Sequence, residues 1–367
     1  MTPLHLPIEH YPQLLAAKRQ RLQTLLAAYQ APPVACFASP VSHYRQRVEF
    51  RIWHEGADLY QVMFNPTNRS WFRIDHFPAA SQLINRLMPE IMRGLRITPE
   101  LRYKLFRIDY LSSLSGAGLV TLLYHRPLTA NWRELARQLR DRVQQALGIT
   151  LQIVGRALKQ CISVDHPFID EVLSIQGRQF HYRQIEGTFT QPNAQVNCQM
   201  LSWACDRLRG STGDLLELYC GSGNFTLPLA QHFRQVLATE VVKAAVQAAQ
   251  HNLTFNHIEN VQVVRLSASE LRQALHRERT FRRLAAITLS DFHCQTVLVD
   301  PPRCGLDAAT LRWIQHYDQI LYFSCNPKTL GDNLSRLSQT HAIAQCALFD
   351  QFPYTDHSEC GVLLQRR

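Results

Sequence analysis

The chain contains 367 residues, of which 46% are hydrophobic and 19% are charged. This length predicts two domains, and the composition is that of a globular protein rather than a disordered, collagen-like or coiled-coil chain. No run of about 18 apolar residues occurs, which excludes a membrane-spanning helix. Residues 1–13 lack the apolar core of a signal peptide, so we expect a cytoplasmic protein with no membrane partner.

The formal net charge of +10 is concentrated in the N-terminal half. Residues 1–200 contain 23 lysines and arginines against 14 aspartates and glutamates, whereas residues 201–367 contain 16 against 15. A basic half joined to a nearly neutral half predicts a part that binds a polyanion such as nucleic acid and a part with another task. A generally basic protein whose charge distribution carries no functional meaning is the alternative.

The chain has ten cysteines, but none forms a CxxC pair. Their spacing suits neither a zinc site nor an iron–sulfur cluster, so we expect no metal and no cluster. In a cytoplasmic protein most cysteines are small buried apolar residues. At most one or two of the ten are therefore expected to take part in chemistry.

The first half of the chain has the pattern of a mixed α+β domain with several antiparallel strands. Apolar periodicity predicts helices over residues 11–30, 80–95 and 132–147. It predicts strands over residues 43–54, 58–64, 70–76, 106–111 and 119–125. The run Asn65-Pro66-Thr67-Asn68 predicts a turn between the second and third of these strands.

From about residue 180, short apolar runs alternate with helical stretches. Buried strands are predicted over residues 215–219, 236–240, 261–266, 296–300 and 320–325, with helical stretches such as 227–232 and 242–252 between them. This alternation is typical of a parallel sheet covered on both faces. Two final runs, residues 344–351 and 361–365, predict a closing antiparallel pair and a total of seven strands.

A glycine-containing turn follows the first of these strands. In Gly221-Ser222-Gly223, glycine lets the backbone approach a ligand, and the start of the next helix favours polar or anionic groups. Glu240 comes 19 residues after Gly221 at the end of the next strand, where a carboxylate can bind both hydroxyls of an adenosine ribose. Thr226 stands where a dinucleotide fingerprint has its third glycine, which favours S-adenosylmethionine over NAD. An ordinary strand–helix turn is the alternative.

Three further polar groups adjoin strands of the same predicted sheet. Asp300 ends the fourth strand, before two prolines that stiffen the loop, and Cys325 ends the fifth. Ligands of open parallel sheets bind outside the carboxyl ends of the strands, so both residues are expected in the crevice beside Gly221 and Glu240. A helix that begins just after Cys325 would stabilise its thiolate. Glu359 lies in the connection between the last two strands. The alternatives are that Asp300 caps a rigid turn, that Cys325 is a structural cysteine and that Glu359 lies in a solvated loop.

Several motifs, taken in order, resemble those of the RNA 5-methyluridine methyltransferases. They are Gln191-Pro192-Asn193, ELYCGSGNF, DPPRCG, SCNPKT and HSECGVLL. The runs PVSHYRQRVEFRIW, FPAASQLIN and LFRIDYL resemble the branch of tRNA (uracil-5-)-methyltransferases. The resemblance implies a Rossmann-like class I methyltransferase domain over residues 181–367, with a seven-stranded, mostly parallel sheet. It implies an α+β RNA-binding domain over residues 1–180.

The resemblance also implies the roles of individual residues. Cys325 would be the nucleophile that adds to carbon 6 of uracil, and Glu359 the base that later removes the proton from carbon 5. This addition makes carbon 5, otherwise a poor nucleophile, able to attack the methyl group of S-adenosylmethionine. The cofactor-binding residues would be Gln191, Tyr219, Asn224, Glu240 and Asp300.

The implied substrate is the T-loop uridine of tRNA, uridine 54, which becomes 5-methyluridine, with the T-arm-like loop of tmRNA as a second substrate. Arg51, Phe106 and His125 are the predicted RNA contacts, with ordinary sheet packing as the alternative for the two rings. Only Cys36 occurs among the first 160 residues, whereas ribosomal RNA relatives commonly carry a cysteine cluster there. Methylation of ribosomal RNA, a non-catalytic RNA-folding protein and an NAD-dependent oxidoreductase are the alternatives. A monomer is expected.

Overall fold

A computed structural model describes residues 5–56, 58–65 and 69–367 of the chain. The helices in these ranges are α1 (Tyr11–Ala27), α2 (Gln82–Ile97), α3 (Pro99–Arg102), α4 (Trp132–Leu147), α5 (Ala194–Leu208), α6 (Thr226–Leu229), α7 (Lys243–Phe255), α8 (Ala268–Leu275), α9 (Ala308–Ile314) and α10 (Pro327–Leu337). Within the described ranges, no helix has the length and apolarity needed to cross a bilayer.

The strands in the same ranges are β1 (Ala35–Phe37), β2 (Arg47–Glu55), β3 (Asp58–Asn65), β4 (Ser70–Arg73), β5 (Leu105–Ser112), β6 (Ala117–Tyr124), β7 (Thr150–Ala157), β8 (Gln160–Ser163), β9 (Phe168–Ile175), β10 (Arg178–Ile185), β11 (Asp214–Leu218), β12 (Val236–Thr239), β13 (Val261–Val264), β14 (Cys294–Val299), β15 (Gln319–Ser324), β16 (His341–Phe349) and β17 (Glu359–Arg366). Residues 66–68 of the predicted turn lie outside the described residues.

The chain divides into two compact units that are interleaved along the sequence. The first contains residues 5–8, Pro40–Val172 and Arg183–Ala194, and the second contains Glu9–Ser39, Leu173–Tyr182 and Gln195–Arg367. The sequence prediction of domains over 1–180 and 181–367 differs from this division mainly at the N-terminus. Glu9–Ser39 belongs to the second unit because Leu22 and Leu26 of α1 pack in the apolar core formed by its sheet.

The second unit is built on a sheet with the strand order β1-β16-β17-β15-β14-β11-β12-β13. The seven strands predicted from sequence are all present and include the closing antiparallel pair, since β17 runs antiparallel to both β15 and β16. Strand β1 is an eighth strand among the described residues, and it pairs in parallel with β16. Strands β11 and β12 are buried at every position, which explains why their sequences are continuous apolar runs rather than alternating ones.

The first unit contains a sheet with the strand order β4-β3-β2-β5-β6-β7-β8. Its pairs are antiparallel except for β6 and β7, which are parallel because helix α4 connects them as a crossover. Helix α4 has the bounds predicted from sequence. It buries Trp132, Ala136, Leu139 and Val143, which recur on one helical face. Strands β7 to β10 and helix α5 were not predicted.

The packing of α4 on β7 depends on the absence of a side chain at Gly155. A Cβ built on Gly155 would lie 2.7 Å from Cε2 of Trp132 and closer still to Cζ2. The indole is fully buried, and its Nε1 donates to the hydroxyl of Tyr124 at 3.1 Å. The ring therefore has little freedom to move aside.

Gly155→Ala is expected to lower the free energy of unfolding by about 1–3 kcal/mol, because overpacking displaces a rigid buried ring. Urea denaturation followed by circular dichroism measures the change. Leu158→Ala, three residues along the chain at a side chain that is 89% exposed, is the control and should change stability by about 0.5 kcal/mol or less. Equal stability of the Gly155 variant and the wild type would contradict this account of the packing.

Candidate active site

The candidate site lies at one edge of the sheet of the second unit. Strands β11, β12, β14 and β15 are parallel neighbours, so their carboxyl ends meet at this edge. Asp300 directly follows β14, and Cys325 directly follows β15. Strand β17 runs the opposite way and pairs Cys360 with Ser324, so its first residue, Glu359, begins at the same edge. The fold therefore brings to one edge residues that are far apart in sequence: Leu218, which ends β11, and Glu359 are 141 positions apart.

The glycine turn after β11 is held by the carboxylate of Glu240. The amide of Gly221 donates to Oε2 of Glu240 at 3.1 Å, while the amides of Val241 and Val242 donate to Oε1 at 2.7 and 2.8 Å. Gly221 and Gly223 have φ angles of 57° and 88°, which glycine adopts without strain. Each carboxylate oxygen can accept more than one hydrogen bond, so Glu240 is oriented by the backbone and can still accept from a ligand hydroxyl.

Asn224 is held by a partner that the sequence prediction missed. Its Nδ2 donates to Oδ1 of Asn197 at 3.0 Å, and Nδ2 of Asn197 donates back to Oδ1 of Asn224 at 2.8 Å. Its backbone carbonyl accepts from the hydroxyl of Tyr182 at 3.0 Å. Asn197 lies on α5 and is buried, so this reciprocal pair fixes the turn to the body of the unit. An asparagine inside a helix gives no sequence signal for such a contact.

Three carboxyl groups are close enough at this edge to influence one another. Burial raises the pKa of Asp300 to about 7. Burial and the charge of Asp300 together raise the pKa of Glu359 well above its usual range. Burial also raises the pKa of Glu217 to about 8, and the charge of Asp300 adds to the shift. Carboxyl groups with such raised pKa values can take up and release protons near neutral pH.

Two of these carboxyl groups are incompletely paired. Both oxygens of Glu217 and Oε1 of Glu359 have no hydrogen-bond partner among the described residues, although both side chains are buried. A buried polar atom without a partner is costly, so its presence points to a role other than stability. Glu217 was not among the residues predicted from sequence. The available signal was an acidic residue inside an otherwise apolar buried strand.

The thiol of Cys325 is half-buried and lies beside two of these acids. Burial, Glu359 and Asp300 raise its pKa to about 11, and the positive charge of Arg303 opposes them. The predicted helix does follow, as α10, with the side chain of Asn326 accepting from the amide of Lys328 at 3.1 Å. The expected lowering of the thiol pKa is nevertheless wrong, because burial and acidic neighbours outweigh the helix.

Arg303 connects the loops around Cys325. Its carbonyl accepts from Nδ2 of Asn326 at 3.0 Å and from the hydroxyl of Thr329 at 3.3 Å. Its guanidinium donates to Nδ1 of His357 at 2.8 Å, and burial together with Arg303 lowers the pKa of that histidine. One residue, through its backbone carbonyl and its guanidinium, thus joins the loops after β14 and β15 to the segment before β17, and it was not among the predicted site residues.

The two remaining predicted cofactor residues, Tyr219 and Gln191, lie in different units. Tyr219 follows β11 with a φ of 63°, and burial raises the pKa of its hydroxyl to about 12. Gln191 precedes α5 and belongs to the first unit. Its predicted contact with the cofactor stays a prediction. Among the described residues, no group of three or more histidine, cysteine, aspartate or glutamate side chains is arranged to hold a metal ion.

The predicted RNA contacts all lie in the first unit. The rings of Phe106 and His125 stack with their centroids 3.8 Å apart and their planes 15° from parallel. The guanidinium of Arg51 lies 5.2 Å from the ring centroid of Trp71, a cation–π contact. Phe106 and Arg51 come from the neighbouring strands β5 and β2. The three residues thus offer partly exposed aromatic and cationic surface, of the kind that nucleic acid bases stack on.

Comparison with known proteins gives three findings. The sequence pattern of the family described as tRNA (Uracil-5-)-methyltransferase matches residues 10–367. Proteins of Edwardsiella ictaluri and Pectobacterium atrosepticum, each named tRNA/tmRNA (uracil-C(5))-methyltransferase, are 56% identical over the full length of both chains. The crystal structure of Pyrococcus abyssi tRNA (uracil-54, C5)-methyltransferase with S-adenosyl-L-homocysteine has a similar fold. Its TM-score is 0.71 at 19% identity, and the match covers 99% of this chain and 86% of that one.

Alkylation of Cys325 tests the electrostatics of the site. Because its thiol pKa is raised to about 11, reaction with iodoacetamide should keep accelerating well beyond the ordinary cysteine pKa of about 8.5. Glu359→Gln removes a negative charge that raises this pKa, so its profile should shift to lower pH. Mass spectrometry of the Cys325 peptide follows the reaction without interference from other cysteines. Glu259→Gln, at an exposed glutamate of the same unit, should leave the profile unchanged. A midpoint near 8.5 in the wild type would contradict the assignment.

Proposed function

The chain belongs to the tRNA (uracil-5-)-methyltransferase family, and from this membership we propose that it methylates carbon 5 of the T-loop uridine in tRNA, uridine 54. The relatives' names support tmRNA as a second substrate. The observation that carries the proposal is the strand register that sets Glu359 beside Cys325 at the sheet edge. A nucleophilic thiol next to a buried carboxyl is the pair that addition to uracil and later proton removal require.

In the proposed mechanism, Cys325 gives up its thiol proton to solvent, and the thiolate adds to carbon 6 of uracil. The new C6–S bond displaces an electron pair through the conjugated carbonyl, and carbon 5 becomes nucleophilic. S-adenosylmethionine, when bound, supplies the methyl group that carbon 5 takes up. Glu359 then accepts the proton of carbon 5, the C5=C6 bond re-forms, and the C6–S bond breaks to return the thiolate to Cys325.

The raised pKa of Glu359 suits the second half of this sequence. A carboxylate that is buried beside another acid binds a proton strongly once it is ionised. Glu359 must be ionised before carbon 5 gives up its proton, and its raised pKa then favours transfer of that proton to the carboxylate.

The residues around the glycine turn fit S-adenosylmethionine. A Cβ built on Gly221 would meet no atom within 4 Å, so open space adjoins the backbone there. Glu240, already oriented by backbone amides, would accept from the ribose hydroxyls. Asp300 and Tyr219 would contact other polar groups of the cofactor. Asn224, whose amide is paired with Asn197, would contribute by holding the turn, and Gln191 would contribute from the segment before α5.

The first unit supports the RNA-binding part of the proposal. Its Phe106 and His125 would stack on bases of the T-arm, and Arg51 would contact the phosphate backbone or a base edge. Extrusion of the target uridine requires unstacking at a cost of a few kcal/mol, which such stacking offsets. We further expect a cytoplasmic monomer. All ten cysteines are free, as in a reducing compartment.

Glu240→Ala is expected to weaken S-adenosylmethionine binding by about 1–3 kcal/mol. The substitution removes the ribose acceptor and frees the amide of Gly221, which the carboxylate now holds. Isothermal titration calorimetry measures the affinity. Glu259→Ala, at an exposed glutamate of the same unit, should bind like the wild type. Unchanged affinity in the Glu240 variant would argue against this cofactor site.

The two catalytic roles are separated by trapping the covalent intermediate. Cys325→Ala should abolish both methylation and any protein–RNA adduct. Glu359→Gln should still allow addition and methyl transfer, so methylated RNA should accumulate on the protein and survive denaturing gel electrophoresis. Peptide mapping should place the adduct on Cys325, and Cys304→Ala, at the exposed cysteine after Arg303, should react normally. RNA that contains 5-fluorouridine should trap the same adduct in the wild type, because fluorine cannot leave carbon 5 as a proton does. An adduct on Cys304, no adduct in the Glu359 variant, or no adduct with the fluorinated RNA would refute the mechanism.

A further inference from the structure

A buried ion pair joins helix α1 to the segment that leads into Glu359. Lys18 of α1 donates from Nζ to Oδ1 of Asp350 at 2.7 Å, and the two side chains are only 2% and 1% exposed. The hydroxyl of Tyr11 donates to the other oxygen, Oδ2, at 2.9 Å and accepts from the amide of Ser39 at 2.8 Å. Asp350 directly follows β16, and residues 350–358 connect β16 to β17. One end of this connection is therefore fixed to a helix more than 300 residues away in sequence.

Lys18 also holds the interior of the same connection. Its Nζ donates to the carbonyl of Phe352 at 2.8 Å, and this carbonyl accepts from the hydroxyl of Thr355 at 2.9 Å. The hydroxyl of Thr355 in turn accepts from the amide of His357 at 3.2 Å. The chain of hydrogen bonds thus runs from Lys18 to a residue two positions before Glu359. The rings of Tyr11 and Tyr354, with centroids 5.5 Å apart, add a contact from the same helix.

The energetics of this pair indicate a geometric role rather than a stabilising one. Removing a lysine and an aspartate from water costs several kcal/mol per ion, and an apolar pair of similar volume is often at least as stable. What Lys18 provides and an apolar residue does not is a directed set of donors, one for Asp350 and one for the carbonyl of Phe352. A nine-residue connection has many conformations, and these bonds select one of them.

Cys325 is held in place by contacts other than those that hold residues 350–358. The cysteine follows β15, whose register with β14 and β17 fixes its position. The next residue, Asn326, is bonded to the carbonyl of Arg303 and caps α10. The hydrogen bonds of Lys18 itself are made to the segment on the base side of the site, and they connect to the nucleophile side only indirectly, through His357 and Arg303.

We propose that Lys18 is a positioning residue for proton removal: through Asp350 and the carbonyl of Phe352, it sets the segment that presents the carboxylate of Glu359 to carbon 5. This inference rests on the proposed function of Glu359 as the base. In the step concerned, the carboxylate takes the proton of carbon 5, the C–H electron pair forms the C5=C6 bond, and the C6–S pair returns to Cys325. Addition of the thiol and methyl transfer precede this step and do not require Lys18.

The test is a single-turnover reaction of the full-length protein with S-adenosylmethionine and unmodified tRNA, followed by denaturing electrophoresis. Lys18→Met should transfer the methyl group at a rate within about threefold of the wild type but accumulate methylated RNA covalently bound to the protein. Release of product should slow by about tenfold or more, which corresponds to about 1.4 kcal/mol in the barrier. Lys18→Arg retains the charge and the donors and should restore release.

Two further variants make each outcome decisive. Arg21→Met, one turn along α1, breaks an exposed ion pair with Asp356 at 3.2 Å and should behave like the wild type. Lys18→Met combined with Asp350→Asn avoids an unpaired buried charge, so it should fold and show the same accumulation even if the single variant does not fold. The proposal would be overturned if methyl transfer slowed as much as product release, or if product were released at the wild-type rate.

The same gel distinguishes failure of this inference from failure of the proposed function. If Glu359→Gln accumulates the adduct and the Lys18 variants do not, the base assignment stands and the role of Lys18 is refuted. If Glu359→Gln itself forms methylated product without accumulating an adduct, the base assignment fails and the role of Lys18 falls with it.

Discussion

Strand β17 is the element on which the candidate site depends. It runs antiparallel to its two neighbours, β15 and β16, in a sheet whose other strand pairs are parallel. In a purely parallel sheet, the start of each strand lies at the edge opposite to its neighbours' carboxyl ends. The reversal of β17 brings its first residue, Glu359, to the edge where Cys325 and Asp300 already lie. Because Cys360 pairs with Ser324, the next residues on each side, Glu359 and Cys325, are neighbours across the two strands.

The grouping of acids at this edge makes the site both reactive and costly. The folded-state pKa of Glu217 is about 8 and that of Asp300 about 7, both above the values of exposed carboxyls. An acid whose pKa is higher in the folded than in the unfolded state loses stability as pH rises, from its unfolded pKa up to its folded one. These two groups therefore oppose folding increasingly between about pH 4 and pH 8. The same property keeps protons available where the proposed chemistry needs them.

Because the two units are interleaved along the sequence, helix α1 belongs to the unit that contains the candidate site. Helix α1 packs through Leu22 and Leu26 into the core of the sheet unit, and it fixes the connection before β17 through Lys18. The unit is therefore complete only when Glu9–Ser39 packs against the last twenty residues of the chain. Contacts of this sequence separation slow folding, since the entropy of closing a long loop must be lost before they can form. The base side of the site thus depends on the most non-local contacts of the unit.

Sequence by itself determined the parts of this protein that depend on local patterns. The seven strands from β11 to β17 were predictable because buried strands are continuous apolar runs, and α4 because its apolar residues recur on one face. The motifs at the strand ends located the glycine turn, Asp300, Cys325 and Glu359 along the chain, and they indicated the family. Strand β1 has only three residues and pairs with β16, so no local pattern marked it. Tertiary structure alone decided the pairing of Asn224 with Asn197, the bond from Arg303 to His357 and the burial of Lys18 with Asp350. It also reversed the expected pKa shift of Cys325. The start of a helix can be predicted from sequence. The burial of the Cys325 thiol and the approach of Glu359 and Asp300 to it cannot, because they depend on strands that meet only in the folded sheet.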